Sequence, residues 1–344
     1  MKKKIRVALG LSGGVDSAVS AYLLKKQGFD VSCIYLNCFD SDIPGCRGDN
    51  DRKDALAVAL KLGIAFQVLD FKKEYKQRVV EYFYDEYRAG RTPNPDVMCN
   101  KEIKFGLFYD WAMKNEFDYV ATGHYARIED GKLLRGVDEK KDQSYFLYRL
   151  RPEQLEHVLF PIGDLAKQQV REEARKRNLQ VADKPDSQGI CFIGDVNVQD
   201  FLRERLPEKK GEVIDTIGNV IGEHDGVWFY TIGQRHGFRV DPKIVSASPM
   251  YVIGKNAQTN VLTVGFGAET YRDQFTITDI NWLSRIRSNL LVRIRHGGKL
   301  INAKLRIKNE ELIVELEEPQ RGVAAGQSAV FYVGDTVIGG GVIQ

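Results

Sequence analysis

The chain has 344 residues, of which 43% are hydrophobic and 28% are charged, and its formal net charge is +3. This length predicts two or three domains, and the composition is that of an ordinary globular protein rather than a disordered or fibrous one. The near-neutral charge excludes a uniformly basic nucleic-acid-binding protein, so any such surface must be local. Arg6 and the polar loop after it interrupt the first apolar run too early for a signal peptide. We therefore expect a cytoplasmic protein with no membrane partner.

The first two hundred residues alternate apolar runs with helical patterns. The runs typical of buried parallel strands are 5–11, 31–37, 65–71 and 119–123. The helical patterns between and after them cover roughly 17–27, 52–62, 72–89 and 101–116. This alternation predicts an α/β domain, with a parallel sheet covered by helices on both faces. Ligands of such sheets bind beyond the carboxyl ends of the strands, where residues 11–12, 36–37 and 123–124 are expected to meet.

The segment GLSGGVDS, residues 10–17, follows the first predicted strand and opens the first predicted helix. Its small residues allow a tight turn, and a helix start offers unpaired N–H groups and a positive dipole end to a phosphate. The chain has neither the P-loop pattern nor a G-x-G-x-x-G dinucleotide fingerprint. A plain strand-to-helix turn capped by Asp16 or Ser17 is the structural alternative. The segment resembles the SGGxDS pyrophosphate loop of the N-type ATP pyrophosphatases, which implies activation of a substrate by AMP transfer from ATP.

The five cysteines show no CxxC and no metal-ligand spacing, and their odd number argues against a structural disulfide framework. Cys33 lies in a predicted strand and is interpreted as a small core residue. Cys38 and Cys46 lie in an acidic loop, where they are either incidental thiols or metal ligands.

Cys99 and Cys191 lie in polar loops. Cys99 follows the proline-rich stretch RTPNPDVM, and the next helix is predicted to begin near Lys101. A thiol just before a helix N-terminus, with Lys101 and Lys104 close by, is expected to have a lowered pKa. Cys191 lies in the glycine-containing turn KPDSQGICF. Both positions favour reactive thiols over the alternative of buried core residues.

The helical pattern ends near 203–215, where Pro207 and a Lys-Lys-Gly turn mark a predicted domain boundary. Short β-rich segments separated by glycines then predict a small β domain. A second β unit ends in SAVFYVGDTVIGGGVI, whose alternation and glycine bend favour a β-barrel. The predicted domains are 1–206, 207–270 and 271–344.

One strongly basic run lies within the last unit. Residues 285–308 contain no acidic residue, and their basic residues are Arg285, Arg287, Arg293, Arg295, Lys299, Lys304, Arg306 and Lys308. Arg293 and Arg295 should share one face of a strand, as should Lys304, Arg306 and Lys308, because alternate residues of a strand point the same way. Such a cationic face favours phosphate contacts, and the alternative is a solvated edge strand protected by its charge.

Six motifs, in order over essentially the whole chain, resemble those of the bacterial tRNA-specific 2-thiouridylases. They are GLSGGVDSAVSAYLL, AGRTPNPDVMCNKEIKF, ATGHYARI, KDQSYFLYRL, DSQGICFIG and AGQSAVFY. The resemblance implies an N-type ATP pyrophosphatase domain followed by a small β domain and a tRNA-binding β-barrel. It also implies ATP-dependent 2-thiolation of the wobble uridine of tRNA, through adenylation of the C2 oxygen. Cys191 would carry the sulfur as a persulfide and Cys99 would be the partner thiol, the two ending as a disulfide.

The resemblance implies roles for individual residues. The implied ATP-binding residues are Gly10, Leu11, Ser12, Gly13, Gly14, Val15, Asp16, Ser17, Leu36 and Gly123. The implied contacts to the target base are Asn94, Pro95 and Asp96. The further implied tRNA contacts are His124, Lys141, Asp142, Gln143, Arg293, Ile294 and Gln327. Asp16 is expected to hold Mg²⁺ on the pyrophosphate, because Mg²⁺ prefers carboxylate and phosphate oxygens.

The implied sulfur donor is a cysteine desulfurase or a sulfur-relay protein. The chain departs from the family pattern at Ile294, where the family usually has an aromatic residue, and in the central β domain near GFRVDPKIVSASPMYV. Two other functions would also account for the SGG loop or the basic surface. An AMP-forming amidating ligase would need no thiol pair and no basic β domain, and a non-catalytic tRNA-binding protein would have no use for two reactive thiols.

Overall fold

The structure is a computed structural model, and it describes residues 4–39, 48–186, 197–241, 249–287, 289–308 and 311–344. Cys46 and Cys191, for which the sequence suggested roles, lie outside the described residues. None of the described helices is long and apolar enough to cross a membrane.

The strands of the first two hundred residues are β1 (Arg6–Gly10), β2 (Asp30–Asn37), β3 (Ala65–Asp70), β4 (Tyr119–Ala121), β5 (Ala126–Glu129), β6 (Lys132–Arg135) and β7 (Val158–Leu159). Five of them form one sheet in the order β3-β2-β1-β4-β7, and every pairing in it is parallel. The four predicted strands and their parallel sheet are therefore confirmed. The short strand β7 was not predicted.

The described α-helices are α1 (Val15–Lys26), α2 (Gly48–Leu62), α3 (Lys72–Tyr75), α4 (Glu81–Arg88), α5 (Pro95–Met98), α6 (Phe108–Lys114), α7 (Lys167–Lys176) and α8 (Val198–Arg203). Two π-helical segments, Lys76–Val80 and Cys99–Leu107, join α3 to α4 and α5 to α6. Short 3₁₀ turns are Ser144–Leu147, Pro152–His157, Val227–Phe229 and Gly267–Thr270. Alternate residues of β1 bury against opposite layers: Val7 and Leu9 pack with α1, α2 and α7, whereas Ala8 packs with α6. The predicted helices on both faces are confirmed.

A second sheet follows, built from β8 (Gly211–Ile214), β9 (Val220–His224), β10 (Arg239–Val240), β11 (Tyr251–Asn256) and β12 (Val261–Gly265). Its order is β10-β9-β8-β12-β11, and only the pairing of β8 with β12 is parallel among those described. The buried residues Val213 and Leu262 belong to one core cluster with Tyr84 of α4 and Phe201 of α8. The central sheet therefore shares its core with helices of the first domain.

The last strands are β13 (Tyr271–Trp282), β14 (Asn289–Arg293), β15 (Ile301–Lys308), β16 (Glu311–Arg321), β17 (Ser328–Val333) and β18 (Thr336–Ile343). They follow the antiparallel order β13-β16-β15-β14-β17-β18, and the pairing of β13 with β18 closes a six-stranded barrel. Phe275, Val292, Val314 and Phe331 fill its interior. The predicted barrel is confirmed.

The hairpin β5–β6 belongs to the barrel's sheet and not to the parallel one. Thr336 of β18 pairs with Leu134 of β6, and Leu133 is buried in the same cluster as Tyr332 and Val337. This hairpin attaches the barrel to the first domain, and the sequence did not predict it.

Candidate active site

Two serines hold the turn between β1 and α1. Ser17 Oγ accepts a hydrogen bond from the Ser12 N–H at 3.1 Å and donates one to the Gly14 carbonyl oxygen at 3.2 Å. The helix begins at Val15, and no side chain caps this end of α1 in the described chain. A cap by Asp16 or Ser17, the structural alternative, is therefore wrong. Without such a cap, the first N–H groups of α1 are available to an anion.

The ends of β2 and β4 lie beside this turn. A Cβ atom added at Gly123 would lie 2.7 Å from the backbone nitrogen of Ser17, so a side chain does not fit there. The Leu11 N–H donates to the Ile34 carbonyl oxygen at 2.8 Å, and Leu36 lies two residues farther along β2. The carboxyl ends of three strands are therefore adjacent, as predicted, with the turn between them.

Asp16 is paired with a lysine from a distant helix. The Lys167 ammonium nitrogen, at the start of α7, lies 2.8 Å from each Asp16 oxygen. The Tyr125 hydroxyl donates to Asp16 Oδ1 at 2.7 Å. Burial and the charge of Asp16 raise the pKa of Tyr125, so the hydroxyl keeps its proton and remains a donor. Both contacts hold the carboxylate in one orientation.

A second carboxylate, Asp186, shares Lys167 with Asp16. It lies 2.8 Å from Lys167, 2.6 Å from Lys141 and 2.8 Å from Arg171. Burial alone would raise the pKa of Asp186, but the hydrogen bonds from Lys141 and Lys167 outweigh it and hold the pKa at about 2. Lys141, a predicted tRNA contact, is therefore part of an internal ion-pair network.

Lys184 places another cation at the turn. Its ammonium donates to the Gly13 carbonyl oxygen at 3.0 Å, to Asp51 at 2.6 Å and also to Asp54. Burial would lower the pKa of Lys184, but the two carboxylates outweigh it and raise the pKa. Neither Lys167 nor Lys184 was predicted. Both follow β7, and a two-residue strand gives no pattern that would have placed them at the carboxyl edge.

The surroundings of Asp16 fit a magnesium ion bound together with a nucleotide. The carboxylate is 31% exposed, and proteins usually bind Mg²⁺ through one or two carboxylates and the substrate phosphates. Because Lys167 contacts both oxygens, a cation at Asp16 requires the lysine to move, and Asp186 already contacts that lysine. Within the described residues, no three His, Cys, Asp or Glu side chains cluster as a separate metal site.

Cys99 lies inside a helical stretch and not ahead of one. The helix begins at Pro95, since Asn94 accepts a hydrogen bond from the Val97 N–H at 3.4 Å and a proline at the first position has no N–H to satisfy. The predicted start near Lys101 is therefore wrong. The thiol is 5% exposed and packs in the core shared with the central sheet.

The two lysines expected beside this thiol have other partners. Lys101 pairs with Glu102 at 3.2 Å, and Lys104 contacts His124 at 3.4 Å. Cys99 and Cys33 form no disulfide among the described residues. Cys33 is fully buried, which raises its pKa to about 12 and confirms its interpretation as a core residue.

The segment predicted to meet the target base is largely buried. Asn94 is 8% exposed and Pro95 is buried, because both build the start of α5, whereas the side chain of Asp96 is half-buried.

His124 is buried at the carboxyl edge. Its Nδ1 lies 2.7 Å from Thr122 Oγ1, and its Nε2 lies 3.4 Å from the Lys104 ammonium. Burial, and then the charge of Lys104, lower the pKa of His124 well below its usual value. The ring is therefore neutral, with Nε2 accepting from the lysine and the Nδ1 proton donated to the threonine.

Two predicted tRNA contacts, Asp142 and Arg293, form a buried ion pair with each other. The Asp142 carboxylate accepts from Arg293 at 2.8 Å and from Arg135 at 3.4 Å. Arg293 is 5% exposed and Arg295 follows the end of β14, where it is exposed. The prediction that these two arginines share one face of a strand is therefore wrong. Ile294 is also buried, in the barrel core.

Two predicted glutamines are bound to the protein backbone. Gln143 accepts from the Tyr125 N–H at 3.0 Å. Gln327 donates to the carbonyl oxygens of Thr92 and Pro93.

The predicted basic face of β15 is confirmed. Lys304, Arg306 and Lys308 are exposed, whereas Ala303 at the start of the strand is buried. Glu315 of β16 lies 3.5 Å from Arg306, so a neighbouring strand supplies the acidic residue that the run itself lacks.

Comparison with known proteins accounts for nearly the whole chain. Residues 5–195 match the tRNA methyl transferase HUP domain, 199–266 the tRNA methyl transferase PRC-barrel domain, and 272–343 the aminomethyltransferase β-barrel domain. The tRNA-specific 2-thiouridylase MnmA of Streptococcus mutans is 46% identical over 358 residues, covering 99% of this chain and 95% of that protein. The same-named protein of Bacillus cytotoxicus is 46% identical over 353 residues, covering 98% and 94%.

The chain belongs to the MnmA family. Two solved structures also resemble this MnmA-family chain. A U34-tRNA thiolase from Methanococcus maripaludis is 19% identical, with a TM-score of 0.37, covering 55% of this chain and 61% of that one. A 4-thiouridine synthetase in complex with RNA and ATP is 16% identical, with a TM-score of 0.40, covering 58% and 50%.

Proposed function

We propose that this MnmA-family chain thiolates the wobble uridine of tRNA at C2, consuming ATP. Its near-full-length likeness to proteins named tRNA-specific 2-thiouridylase is the observation that carries the proposal. The uncapped start of α1, with Asp16 in its first turn, supports ATP as the activating substrate.

In the first step, the C2 oxygen of the uridine attacks the α-phosphate of ATP, and pyrophosphate leaves. The N–H groups at the start of α1 would bind the phosphates, and Asp16 is the residue that would hold a magnesium ion. When bound, that ion neutralises charge on the leaving pyrophosphate. With a cation at Asp16, Lys167 would move away from Asp16 and would keep Asp186 as its partner.

In the second step, a persulfide on Cys191 attacks C2 and AMP leaves with the former C2 oxygen. The Cys99 thiolate then attacks the inner sulfur of Cys191, which forms a Cys99–Cys191 disulfide and leaves the outer sulfur on the base. A disulfide requires the two Cα atoms to come within about 7 Å. Because Cys99 is almost fully buried, the thiol has to become accessible during this step.

The tRNA is proposed to lie over the carboxyl edge and the basic face of β15. Lys304, Arg306 and Lys308 are exposed there and suit phosphate contacts. Asn94, Pro95 and Asp96 are proposed to meet the target base, and His124 is proposed to be a further tRNA contact. The persulfide is proposed to come from a cysteine desulfurase or a sulfur-relay protein, in the cytoplasm.

Nucleoside mass analysis tests the reaction. Incubation with unmodified tRNA, ATP, Mg²⁺ and a persulfide donor should produce 2-thiouridine and AMP, and an unchanged nucleoside profile would contradict the proposal. Peptide mapping then tests the thiols: Cys99→Ser should load a persulfide on Cys191 but fail to complete the transfer, and Cys38→Ser is the matched control with normal turnover. A persulfide on Cys99, with Cys191 unmodified, would reverse the two roles.

A further inference from the structure

A turn of the barrel, residues 324–328, binds the segment that leads into α5. The Thr92 N–H donates to the Ala325 carbonyl oxygen at 2.8 Å. The Gln327 side-chain amide donates to the Thr92 and Pro93 carbonyl oxygens, at 3.0 Å each. The barrel thus makes three hydrogen bonds to two consecutive residues of the first domain.

Gly326 allows this close approach. Its φ angle is +91°, and a Cβ atom there would lie 2.8 Å from the Thr92 carbonyl oxygen. Its N–H donates to Ile343 at the end of β18, and the Ile343 N–H donates back to the Gln327 carbonyl oxygen. The turn is therefore fixed to the barrel wall, and only a glycine fits between that wall and Thr92.

The bound segment needs support from outside because of its own sequence. Pro93 and Pro95 have no N–H group, so residues 91–95 cannot join a regular hydrogen-bond ladder. Asn94 lies between them, caps α5, and is buried together with the helix that leads to Cys99. The position of the Thr92 and Pro93 carbonyl groups therefore determines where α5 begins and where Cys99 lies.

The central domain contacts the same segment. Thr92 Oγ1 lies 3.4 Å from Thr231 Oγ1, and the Tyr145 hydroxyl donates to the Ser328 carbonyl oxygen of the barrel turn at 2.9 Å. Thr92 of the first domain therefore contacts both the central domain and the barrel.

We infer that Gln327 is a positioning residue, which holds the backbone of Thr92 and Pro93 and thereby places Cys99 for sulfur transfer. The role in sulfur transfer rests on the proposed function, but the contact of Gln327 with the Thr92–Pro93 backbone can be tested without the reaction. It assigns Gln327 a role through the protein backbone, distinct from the RNA contact that the family resemblance implies.

Hydrogen exchange of peptides covering residues 91–100 and the alkylation rate of Cys99, resolved by peptide mass mapping, test the inference without tRNA or ATP. Gln327→Ala removes two hydrogen bonds, and both rates should rise about tenfold. Gln327→Glu removes both donors and should act in the same direction. Gln320→Ala, on β16, is the matched control and should leave both rates unchanged.

Two further measurements complete the test. An unchanged melting temperature and unchanged hydrogen exchange in β1 would show that the effect is local. A rise in hydrogen exchange confined to residues 91–100 supports the positioning role. With wild-type turnover established, Gln327→Ala should lower the single-turnover thiolation rate while the Kd for tRNA stays within about twofold. Unchanged exchange and alkylation together with weaker tRNA binding would overturn the inference and leave Gln327 as an RNA contact. Absence of thiolation by the wild type would remove the proposed function alone.

Discussion

Asp16 has Lys167 as its counter-ion, because the lysine ammonium contacts both carboxylate oxygens. Asp16→Asn removes the negative charge that a magnesium ion needs and keeps the shape of the side chain. We expect this variant to lose adenylation, measured as AMP and pyrophosphate release, while the Kd for tRNA stays unchanged. Asp164→Asn, at a carboxylate that is 79% exposed, is the control. AMP release at the wild-type rate by the Asp16 variant would contradict a metal-binding role.

His124 gives the fold a pH dependence of known sign. Its pKa is lowered in the folded state by burial and by Lys104, whereas the unfolded chain takes up the proton near pH 6.5. The contribution of His124 to the free energy of unfolding is therefore constant above pH 7. It falls as the pH drops below about 6.5, by at most about 1.4 kcal/mol per pH unit.

His124→Gln removes this titration. Urea unfolding of both proteins between pH 7.5 and 5.5 should show the wild type losing stability relative to the variant on acidification. Other buried histidines, such as His224, are common to both proteins and cancel in the difference. Parallel stability curves would mean that His124 has the same pKa in the folded and the unfolded protein.

Among the elements, β15 offers the cleanest test of the tRNA surface. Replacing Lys304, Arg306 and Lys308 with glutamine should weaken tRNA binding, and the slope of log K against log salt should fall by about 0.7–0.9 for each phosphate that the variant no longer neutralises. Lys176→Gln, on the exposed end of α7, serves as control. An unchanged slope would identify the strand as a solvated surface. Arg293 is unsuitable for this experiment, because its removal leaves the buried Asp142 carboxylate with one cationic partner, Arg135, instead of two.

Periodicity predicted the elements that repeat a pattern over several residues. The apolar runs of β1 to β4 identified the parallel sheet, and the alternation of β17 and β18 identified the barrel. The start of α5 was missed because two prolines suggested an extended segment, while Pro95 occupies the first helical position, where proline is tolerated.

The site residues were predictable only where a local motif contained them. The GLSGGVDS turn was found, but Lys167 joins Asp16 from 151 positions away and belongs to no motif. The burial of Arg293 was likewise unpredictable, because its partner Asp142 lies in a different domain. Long-range pairing of charges leaves no trace in a single sequence.

For the whole molecule, the shared core predicts that the first domain does not fold alone. Tyr145, Tyr148 and Leu133 are buried with Tyr332 and Val337 of the barrel. A fragment of residues 1–206 should expose this apolar surface, bind the dye ANS and aggregate, unlike the full chain. A second fragment, residues 1–270, lacks only the barrel. Its behaviour separates the effect of losing the barrel from the effect of losing the central domain. Cooperative unfolding of a monomeric 1–206 fragment would contradict the expectation.

The pairing of β6 with β18 also bears on synthesis. Leu134 and Thr336 are partners far apart along the chain, separated by about 200 residues, so the hairpin waits roughly 10–40 s on the ribosome at about 5–20 residues per second. During that interval the apolar side of the hairpin, including Leu133, has no barrel to cover it. The nascent first domain therefore keeps an uncovered apolar surface until the last strand emerges.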